Sequence, residues 1–402
     1  MKETKKKIAI ITPYGAEERL DNYAEFVLAQ SLIEKGWDVR MYTYASRGMP
    51  PYDRDFVYKT VPVFRCRERL AISPKLFFSL LLFRPQTVFC FHPRSLLNFC
   101  AYFAARIIGA RYLVEIVGLL HDPYVVNDVD DPVGNLQDPV AVITRFSQFF
   151  KKSMSGRIAD NWKNYVLHMP TACADEIVSI NKDEQKYIRL VYGRDSALVY
   201  WCTPKNRSTL EEKPKLKDDH PLPDQFLFFI GQLKRRKGWD TALEALASLK
   251  QKGITKQLVF VAPPGSDISP AATYATKLGV FPQITFLIGV SNEEKNWLYK
   301  NCQYVLIPSR YEGFGLPVFE AFLAGRPICA TDIDVFLEFL EHKKNAMISK
   351  MGSGEGLALS VEELDKNPEL VKTLISGGIK TADDFSDLRM VDGLMGVILG
   401  RK

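Results

Sequence analysis

Short apolar runs alternate with segments of helical hydrophobic spacing along the first half of the chain. The strand-like runs are 8–12, 38–44, 87–91, 111–117 and 174–180. The helix-like segments are 22–35, 96–108 and 182–192, and each is followed by a glycine, the residue that commonly ends helices. Residues 56–65 indicate a further short strand, broken at Pro62. Strands that alternate with helices are typical of βαβ units, so we predict a parallel sheet.

The same alternation returns after a charged, proline-rich stretch. Residues 204–224 contain almost no apolar positions and are predicted to be an interdomain linker. The strand-like runs beyond it are 226–230, 257–262, 284–288, 304–307, 328–331 and 346–349. We therefore predict two α/β domains, 1–203 and 225–382, each with a doubly wound sheet. The remaining segment, 383–402, has helical hydrophobic spacing.

Residues 303–331 combine a buried strand, a glycine-containing loop and a helix. Glu312 lies in the loop, and Glu320 lies eight residues later in the first turns of the helix. Between them, Gly313 and Gly315 allow the backbone to approach a ligand closely, and the free N–H groups at a helix start suit a phosphate. Two carboxylates that flank such a loop suit a ligand with both phosphates and hydroxyls, such as a sugar nucleotide.

A second loop with ligand-binding character follows the first strand of this half. Its sequence, GQLKRRKG at 231–238, places a cluster of cations between a strand end and a helix start. That arrangement suits a diphosphate, so Lys237 and Arg236 are predicted to bind one. The alternative is an ordinary solvated loop.

The block EGFGLPVFEAFLAGRPI, with strand, glycines, proline and helix in order, resembles the signature of the family-4 retaining glycosyltransferases, which are GT-B-fold hexosyltransferases. The resemblance covers most of the chain and is strongest in 225–331. It implies two Rossmann-like domains facing a central cleft, with a glycan, lipid-linked or small-molecule acceptor on the first domain and a nucleotide diphosphate sugar on the second. It also implies that the C-terminal helix, with Phe385 and Leu388 on its apolar face, crosses back to the first domain.

The resemblance assigns a role to each matching residue. Lys237, helped by Arg236, would neutralise the departing diphosphate, and Glu320 would accept hydrogen bonds from the ribose hydroxyls. Glu312 would hold the sugar hydroxyls and support positive charge at the anomeric carbon. The remaining donor contacts are expected from Gln232, from Ile288 in the strand that faces the base, and from the backbone of Gly313, Phe314, Gly315 and Leu316.

Two positions depart from the family's pattern. The family has an arginine where this chain has Gln232, and Arg235 or Arg236 is expected to compensate. The family also has a histidine after its fifth strand, where this chain has Val117. His121 is expected to take over that catalytic position near the sugar or the acceptor.

Gly15 and His92 follow strands of the first domain and are candidates for an acceptor or phosphate loop, since ligands bind beyond strand C-termini in such sheets. For His92, as for His121, the alternative is a structural role in a loop. No enzymic nucleophile is apparent on the acceptor side, which agrees with front-face transfer, in which the leaving phosphate takes the acceptor's proton.

The composition, 47% apolar and 25% charged, is that of an ordinary globular protein, and the net charge of +6 is compatible with anionic partners. The basic residues are dispersed, so nucleic acid is not an expected partner. Seven scattered cysteines without C-x-x-C spacing indicate neither a zinc site nor a disulfide framework. With no signal peptide recognisable at the N-terminus, we predict a cytoplasmic protein.

The D-x-D triplets at 128–130 and 332–334 match the pattern of metal-dependent sugar transferases. Matches this short arise by chance in acidic loops. Because the GT-B resemblance implies a reaction without metal, we expect neither a metal nor a further cofactor.

The segment LAISPKLFFSLLLFRP, 70–85, is strongly apolar with basic residues at its edges. One interpretation is a helix packed on the sheet. The other is an interfacial helix that meets a membrane, since glycosyltransferases of this type often use lipid-linked acceptors. The second interpretation would place the protein peripherally at the inner membrane face.

Two rival functions fit the same resemblance. A nucleotide-sugar epimerase of GT-B fold would release a free sugar without any acceptor. A non-catalytic GT-B subunit would bind a nucleotide sugar without turning it over, and the departures at Gln232 and Val117 favour it. Incubation of the donor without an acceptor distinguishes the epimerase from a transferase. Binding of a nucleotide sugar without turnover on any acceptor would support the non-catalytic subunit.

Overall fold

The computed structural model describes residues 5–12, 23–44, 55–66, 73–92, 95–121, 125, 143–149, 158–202 and 222–401. Gly15, the D-x-D triplet at 128–130 and most of the predicted linker lie outside the described residues.

The chain divides into two compact units. Of the described residues, the first unit contains those from 5 to 125, from 143 to 202 and from 387 to 401, and the second contains 222–386. Each unit has its own sheet, and the candidate donor-binding residues all belong to the second.

An eight-stranded sheet forms the centre of the first unit. Its strands β1–β8 are Lys7–Thr12, Asp38–Tyr44, Phe56–Tyr58, Val61–Cys66, Thr87–Phe91, Arg111–Ile116, Glu176–Ser179 and Ala197–Leu198. Their order is β3-β4-β2-β1-β5-β6-β7-β8, and every pair is parallel except β3 with β4. The central strands β1 and β5 are buried almost throughout, as expected of parallel strands covered on both faces.

Within the part of the chain that the structure describes, five helices connect these strands. They are α1 to α5, at Ala24–Glu34, Pro74–Phe83, Leu96–Ile108, Ile158–Ala172 and Lys182–Tyr192. Two of the glycines predicted to end helices do so. α3 ends at Gly109 and α5 at Gly193, both in the left-handed conformation. No helix among the described residues is long and apolar enough to cross a bilayer.

Residues 56–66 form an antiparallel pair, β3 and β4, and the prediction of one broken strand was wrong. Lys59, with φ 52°, turns the chain without any of the residues that usually signal a hairpin. Pro62 lies within β4 opposite Val57, before the residues that pair with β2. A proline is tolerated there because few ladder hydrogen bonds depend on its missing N–H.

The second unit contains a six-stranded parallel sheet. Its strands β9–β14 are Leu227–Ile230, Leu258–Ala262, Ile284–Ile288, Tyr304–Ile307, Ile328–Thr331 and Met347–Ser349. Their order is β11-β10-β9-β12-β13-β14. All six predicted strands are confirmed, because each is a short apolar run bounded by turn residues.

Helices α6–α12 connect and follow these strands. They are Trp239–Gln251, Ser269–Lys277, Asn292–Asn301, Leu316–Leu323, Asp334–Leu337, Gly354–Lys366 and Pro368–Asp384. Leu243 and Leu246 of α6 pack with Leu357 and Val361 of α11 in one buried cluster against the sheet. This core fixes where the loop before α6 lies.

The final helix, α13, is Asp387–Ile398, and the prediction that it begins at 383 was wrong. Phe385 leaves the helical conformation (φ −108°, ψ 46°), and its ring packs 6.1 Å from Phe314 and 5.3 Å from Phe319. Leu388, predicted to lie on the apolar face, is 74% exposed. The Phe385 side chain, which the periodicity had assigned to α13, therefore packs in the aromatic cluster of the second unit.

α13 packs within the first unit, against α1. The Arg111 guanidinium, at the start of β6, donates to the carbonyls of Val397 at 3.2 Å and Ile398 at 2.8 Å. A cation at these last carbonyls satisfies acceptors that the helix itself leaves open.

Among the described residues of the first unit, three carboxyl groups are buried. Burial raises the pKa of Glu25 to about 7, although the Thr12 hydroxyl donates to it at 2.6 Å. Burial also raises the pKa of Glu184 to about 7, against the opposing hydrogen bonds from two backbone N–H groups. The pKa of Glu115 lies well above its usual range for the same reason, although the Trp201 indole donates to its carboxyl at 2.6 Å.

We expect these groups to make the protein less stable as pH rises. An ordinary Glu ionises near 4.5, whereas folded Glu25 ionises near 7, so its contribution is complete below pH 4.5 and is lost as pH rises through 7. Glu25→Gln should therefore stabilise the protein at pH 7.5 by about 1–3 kcal/mol more than at pH 5. Urea unfolding at both pH values measures this. Glu369→Gln, at a side chain that is 80% exposed, is the control. An equal effect of Glu25→Gln at both pH values would contradict the prediction.

Candidate functional site

The two loops singled out in the sequence leave adjacent strands at the centre of the second sheet. In this sheet, β10 and β11 lie on one side of β9, and β12, β13 and β14 lie on its other side. The chain therefore changes direction across the sheet between β11 and β12. Ligands of open parallel sheets bind beyond the carboxyl ends of the strands at such a switch point. The loop at 231–238 follows β9 and the loop at 308–315 follows β12, so both lie at this point.

Close contact between the two loops depends on Gly238. A 3-10 helix, Arg235–Lys237, carries the cations of the first loop and ends at Gly238, which has φ 67°. A Cβ at this position would overlap the backbone carbonyl oxygen of Pro308 in the second loop. Glycine is therefore required both by the left-handed conformation and by the close approach.

Lys237 and Glu312 form an ion pair across this contact. The ammonium donates to both carboxylate oxygens, at 2.6 and 2.7 Å, and the Ser309 hydroxyl donates to one of them at 2.8 Å. The two side chains are only 16% and 6% exposed. Burial alone would raise the pKa of the Glu312 carboxyl, but the Lys237 ammonium, with help from Arg236 and Ser309, brings that pKa below its ordinary value.

This ion pair can exchange partners. Neither charge is stable when buried alone, because a buried unpaired charge is strongly unfavourable. An anionic ligand that reaches Lys237 can replace the carboxylate as its partner. Glu312 is then available to accept hydrogen bonds from hydroxyl groups of the same ligand.

Gln232 and Arg236 interact with each other in the first loop. The Arg236 guanidinium donates to the Gln232 side-chain oxygen at 2.8 Å, and Gln232 is exposed. Arg235 extends instead toward Asp240, at 3.7 Å. Of the two arginines expected to compensate for Gln232, Arg236 is thus the one adjacent to it.

Glu320, in α9, is held by two residues of α8. The Lys295 ammonium donates to one carboxylate oxygen at 3.0 Å, and the Tyr299 hydroxyl donates to the other at 2.8 Å. The Glu320 side chain is 11% exposed. Sequence analysis did not identify Lys295 and Tyr299, although their spacing of four residues puts them on one face of a helix.

The backbone and the side chains of the second loop face different surroundings. Gly315 has φ 93° and lies directly before α9, and a Cβ there would lie 2.6 Å from the Phe336 ring. The Phe314 ring is buried and stacks on Phe319 at 4.9 Å. Phe314 therefore has only its backbone to offer a ligand, and the same holds for Gly313 and Gly315; Leu316 is the first residue of α9.

Ile288 ends the edge strand β11 and is 44% exposed. Two strands, β10 and β9, separate it from β12. Ile288 lies at the same carboxyl edge of the sheet as the Lys237–Glu312 pair, to one side of that pair.

The remaining candidates belong to the first unit. His92 follows β5 with φ 69°, a conformation uncommon outside glycine, and burial lowers the pKa of its imidazole to about 4. His121 ends a 3-10 helix, Leu119–His121, and the structure describes only its backbone. The Glu184 carboxylate holds this segment by accepting from the Leu119 N–H at 2.6 Å, a contact that sequence analysis missed.

The described residues contain no group of three or more His, Cys, Asp or Glu side chains arranged to hold a metal ion. In the second D-x-D triplet, the Asp332 carboxylate accepts from the Met351 N–H at 2.7 Å.

The second unit also matches a known family. Residues 211–381 fit the family model described as "Glycosyl transferases group 1". The match covers less than half of the chain. The two loops and the Lys237–Glu312 pair all lie inside it.

Curated relatives of the chain are glycosyltransferases by name. The chain is 28% identical over 249 residues to "Putative glycosyltransferase EpsD" of Bacillus subtilis, a match that covers 57% of this chain and 63% of that protein. It is 25% identical over 234 residues to a D-inositol 3-phosphate glycosyltransferase of Rhodococcus erythropolis, covering 55% and 53%. The chain thus spans less than two thirds of the length of these relatives.

Solved structures resemble the whole chain. Sucrose-phosphate synthase from Thermosynechococcus elongatus superposes with a TM-score of 0.68 at 15% identity, covering 98% of this chain and 99% of that one. Anabaena Alr3699/HepE in complex with UDP-glucose gives 0.66 at 15% identity, also covering 98% and 99%. The fold of the chain is GT-B, as predicted.

Proposed function

We propose that the protein is a retaining hexosyltransferase of family-4 type that uses a nucleotide diphosphate sugar as donor. The observation that carries the proposal is the Lys237–Glu312 ion pair at the switch point of the glycosyltransferase domain. A diphosphate and a sugar present the two kinds of group that this pair can accept, an anion and hydroxyls. That HepE was solved with UDP-glucose supports the choice of donor class.

In the proposed reaction, the diphosphate displaces Glu312 from Lys237. The ammonium, with Arg236 beside it, stabilises the negative charge that grows on the leaving phosphate. The released Glu312 carboxylate accepts hydrogen bonds from sugar hydroxyls and stabilises positive charge at the anomeric carbon. The backbone of Phe314, Gly315 and Leu316 completes the contacts at the start of α9.

Glu320 is proposed to accept hydrogen bonds from the ribose hydroxyls. Lys295 and Tyr299 fix its carboxylate in the absence of ligand, so little side-chain ordering is needed on binding. The base is proposed to lie near Ile288, and the acceptor on the first unit near Gly15, His92 and His121. Transfer proceeds on the front face, without an enzymic nucleophile.

A ligand panel tests the donor site. We expect one of UDP, GDP and ADP, or its sugar derivative, to raise the melting temperature, since a ligand at 100 times its Kd stabilises by about 2.7 kcal/mol. With an acceptor, the product should keep the anomeric configuration of the donor in NMR spectra, and EDTA should leave turnover unchanged. No stabilisation by any nucleotide would contradict the proposal, and free sugar released without acceptor would instead support an epimerase.

We further propose that the protein binds an anionic membrane surface peripherally. α2 exposes Phe78 and Leu82, at 60% and 84%, and its neighbour α3 exposes Phe103 and Ile107, at 42% and 64%. Each pair has the spacing of one helix face. Neither helix contains an acidic residue, and the exposed Arg84 follows α2 directly. The exposed apolar side chains and the exposed Arg84 suit an anionic lipid surface, although Lys75 of α2 and Arg106 of α3 are paired with Asp55 and Asp175.

Vesicle co-sedimentation tests this membrane proposal. Phe78→Gln with Leu82→Gln should weaken binding to anionic vesicles at low salt by about tenfold or more, because two apolar side chains no longer insert. The control pair is Leu359→Gln with Ile379→Gln, which removes similarly exposed side chains (49% and 47%) from the second unit. Absence of wild-type binding, or an equal loss in the control, would overturn the proposal.

A further inference from the structure

A second ion pair joins the same two loops. The Arg310 guanidinium binds both carboxylate oxygens of Asp240, at 2.6 and 2.9 Å, and also donates to the Thr241 hydroxyl at 3.2 Å. The two ionic side chains are 13% and 12% exposed. Arg310 lies two residues before Glu312, and Asp240 lies three residues after Lys237. The two pairs therefore cross the same contact, with their charges reversed.

Arg310 also binds the backbone of the first loop. Its guanidinium donates to the Arg235 carbonyl at 2.7 Å, and its own N–H donates to the Arg236 carbonyl at 2.7 Å. These carbonyls belong to the 3-10 helix that carries Lys237. A single residue of the second loop thus fixes both the helix start after Gly238 and the turn that presents the ammonium.

The two ion pairs differ in what ligand binding does to them. In the proposed function, the diphosphate takes Lys237 away from Glu312, which removes one of the links between the loops. The Arg310–Asp240 pair has no such exchange to make, because its charges satisfy each other and the backbone. We propose that Arg310 is a positioning residue, which keeps the two loops in register while Lys237 changes partners.

The chemistry of arginine suits this role. Its planar guanidinium binds a carboxylate through two parallel hydrogen bonds and has donors left for carbonyls, whereas a lysine ammonium is a point charge on a flexible stem. Arg310→Lys therefore preserves the charge and removes the geometry. Asp240→Asn removes the charge of the partner with little change of shape.

The test measures coupling between Arg310 and Lys237. The ligand is UDP, GDP or ADP, whichever binds the wild-type protein. Its Kd is measured for wild type, Arg310→Lys, Lys237→Met and the double variant. We expect Arg310→Lys to weaken binding by about tenfold in the wild-type background and by less than about twofold with Lys237→Met, since interacting residues are non-additive. Asp240→Asn should behave like Arg310→Lys.

Lys256→Met is the matched control. Lys256 pairs with Asp365 at 2.8 Å, and the two side chains are 12% and 26% exposed. Lys256 lies shortly before the start of β10, whereas the two loops follow the ends of β9 and β12. Lys256→Met should lower the melting temperature and leave the nucleotide Kd unchanged. Equal effects of Arg310→Lys in both backgrounds, or unchanged binding in both Arg310→Lys and Asp240→Asn, would overturn the inference alone. Because the inference rests on the proposed function, a wild type that binds none of the three nucleotides overturns both.

Discussion

Alanine at Glu312 or at Lys237 is expected to lower kcat for sugar transfer by about 10²-fold or more, the loss that follows removal of one preorganised electrostatic contact. The two changes act differently. Lys237→Ala removes the cation that stabilises the leaving diphosphate and leaves Glu312 as a buried carboxylate without its ammonium. Glu312→Ala leaves the cation available but removes the hydrogen-bond acceptor for the sugar.

Nucleotide binding should separate these two variants. Lys237→Ala should weaken binding of the nucleoside diphosphate, because the diphosphate loses its cation. Glu312→Ala should bind the same nucleotide as tightly as wild type or more tightly, because the competing carboxylate is gone. Asp365→Asn, which removes another lysine-paired carboxylate of this unit, should leave kcat unchanged. Wild-type turnover in both alanine variants would refute the assigned roles.

Gly238→Ala is expected to destabilise the second unit by about 3 kcal/mol or more, combining left-handed backbone strain of about 1–2 kcal/mol with steric overlap. The new methyl group would occupy the space of the Pro308 carbonyl oxygen, which is backbone and cannot rotate away. The loops must then separate. We expect the nucleotide site to be lost together with stability, because Lys237 precedes this position directly.

Gly253→Ala provides a closely matched control for the loop contact. Gly253 follows the other end of α6 with φ 75°, and a Cβ there meets nothing within 4 Å. Gly253→Ala should lower the free energy of unfolding only by the left-handed backbone strain, about 1–2 kcal/mol. It should bind nucleotide as wild type does. Urea unfolding and nucleotide titration of both variants measure the difference. Equal losses in the two variants would show that the contact with Pro308 does not matter.

Much of the fold was predictable because its determinants are local. The strands of the second sheet are apolar runs bounded by turn residues, and α3 and α5 end at the glycines that predicted their ends. The approach of Lys237 to Glu312 was also predictable, since strand ends of a parallel sheet share one edge and both loops follow such ends. Gly315, at φ 93°, occupies a position that only glycine fits easily.

Other features depend on contacts between residues distant in sequence. The Arg310–Asp240 pair joins positions 70 residues apart, and no periodicity connects them. Phe385 fits the helical pattern of α13, yet it packs with Phe319, because burial in an aromatic cluster outweighs the continuation of a helix. The buried carboxyls of Glu25 and Glu184 were missed because charged residues ordinarily indicate an exposed face.

A crystal structure of the protein with its nucleotide diphosphate sugar tests the central claim most directly. We predict that the diphosphate lies within hydrogen-bond distance of the Lys237 ammonium, that Glu312 has turned to the sugar hydroxyls, and that Glu320 contacts the ribose, with Arg310 still bound to Asp240. A donor bound elsewhere, or a Lys237–Glu312 pair still intact beside the bound donor, would contradict the account.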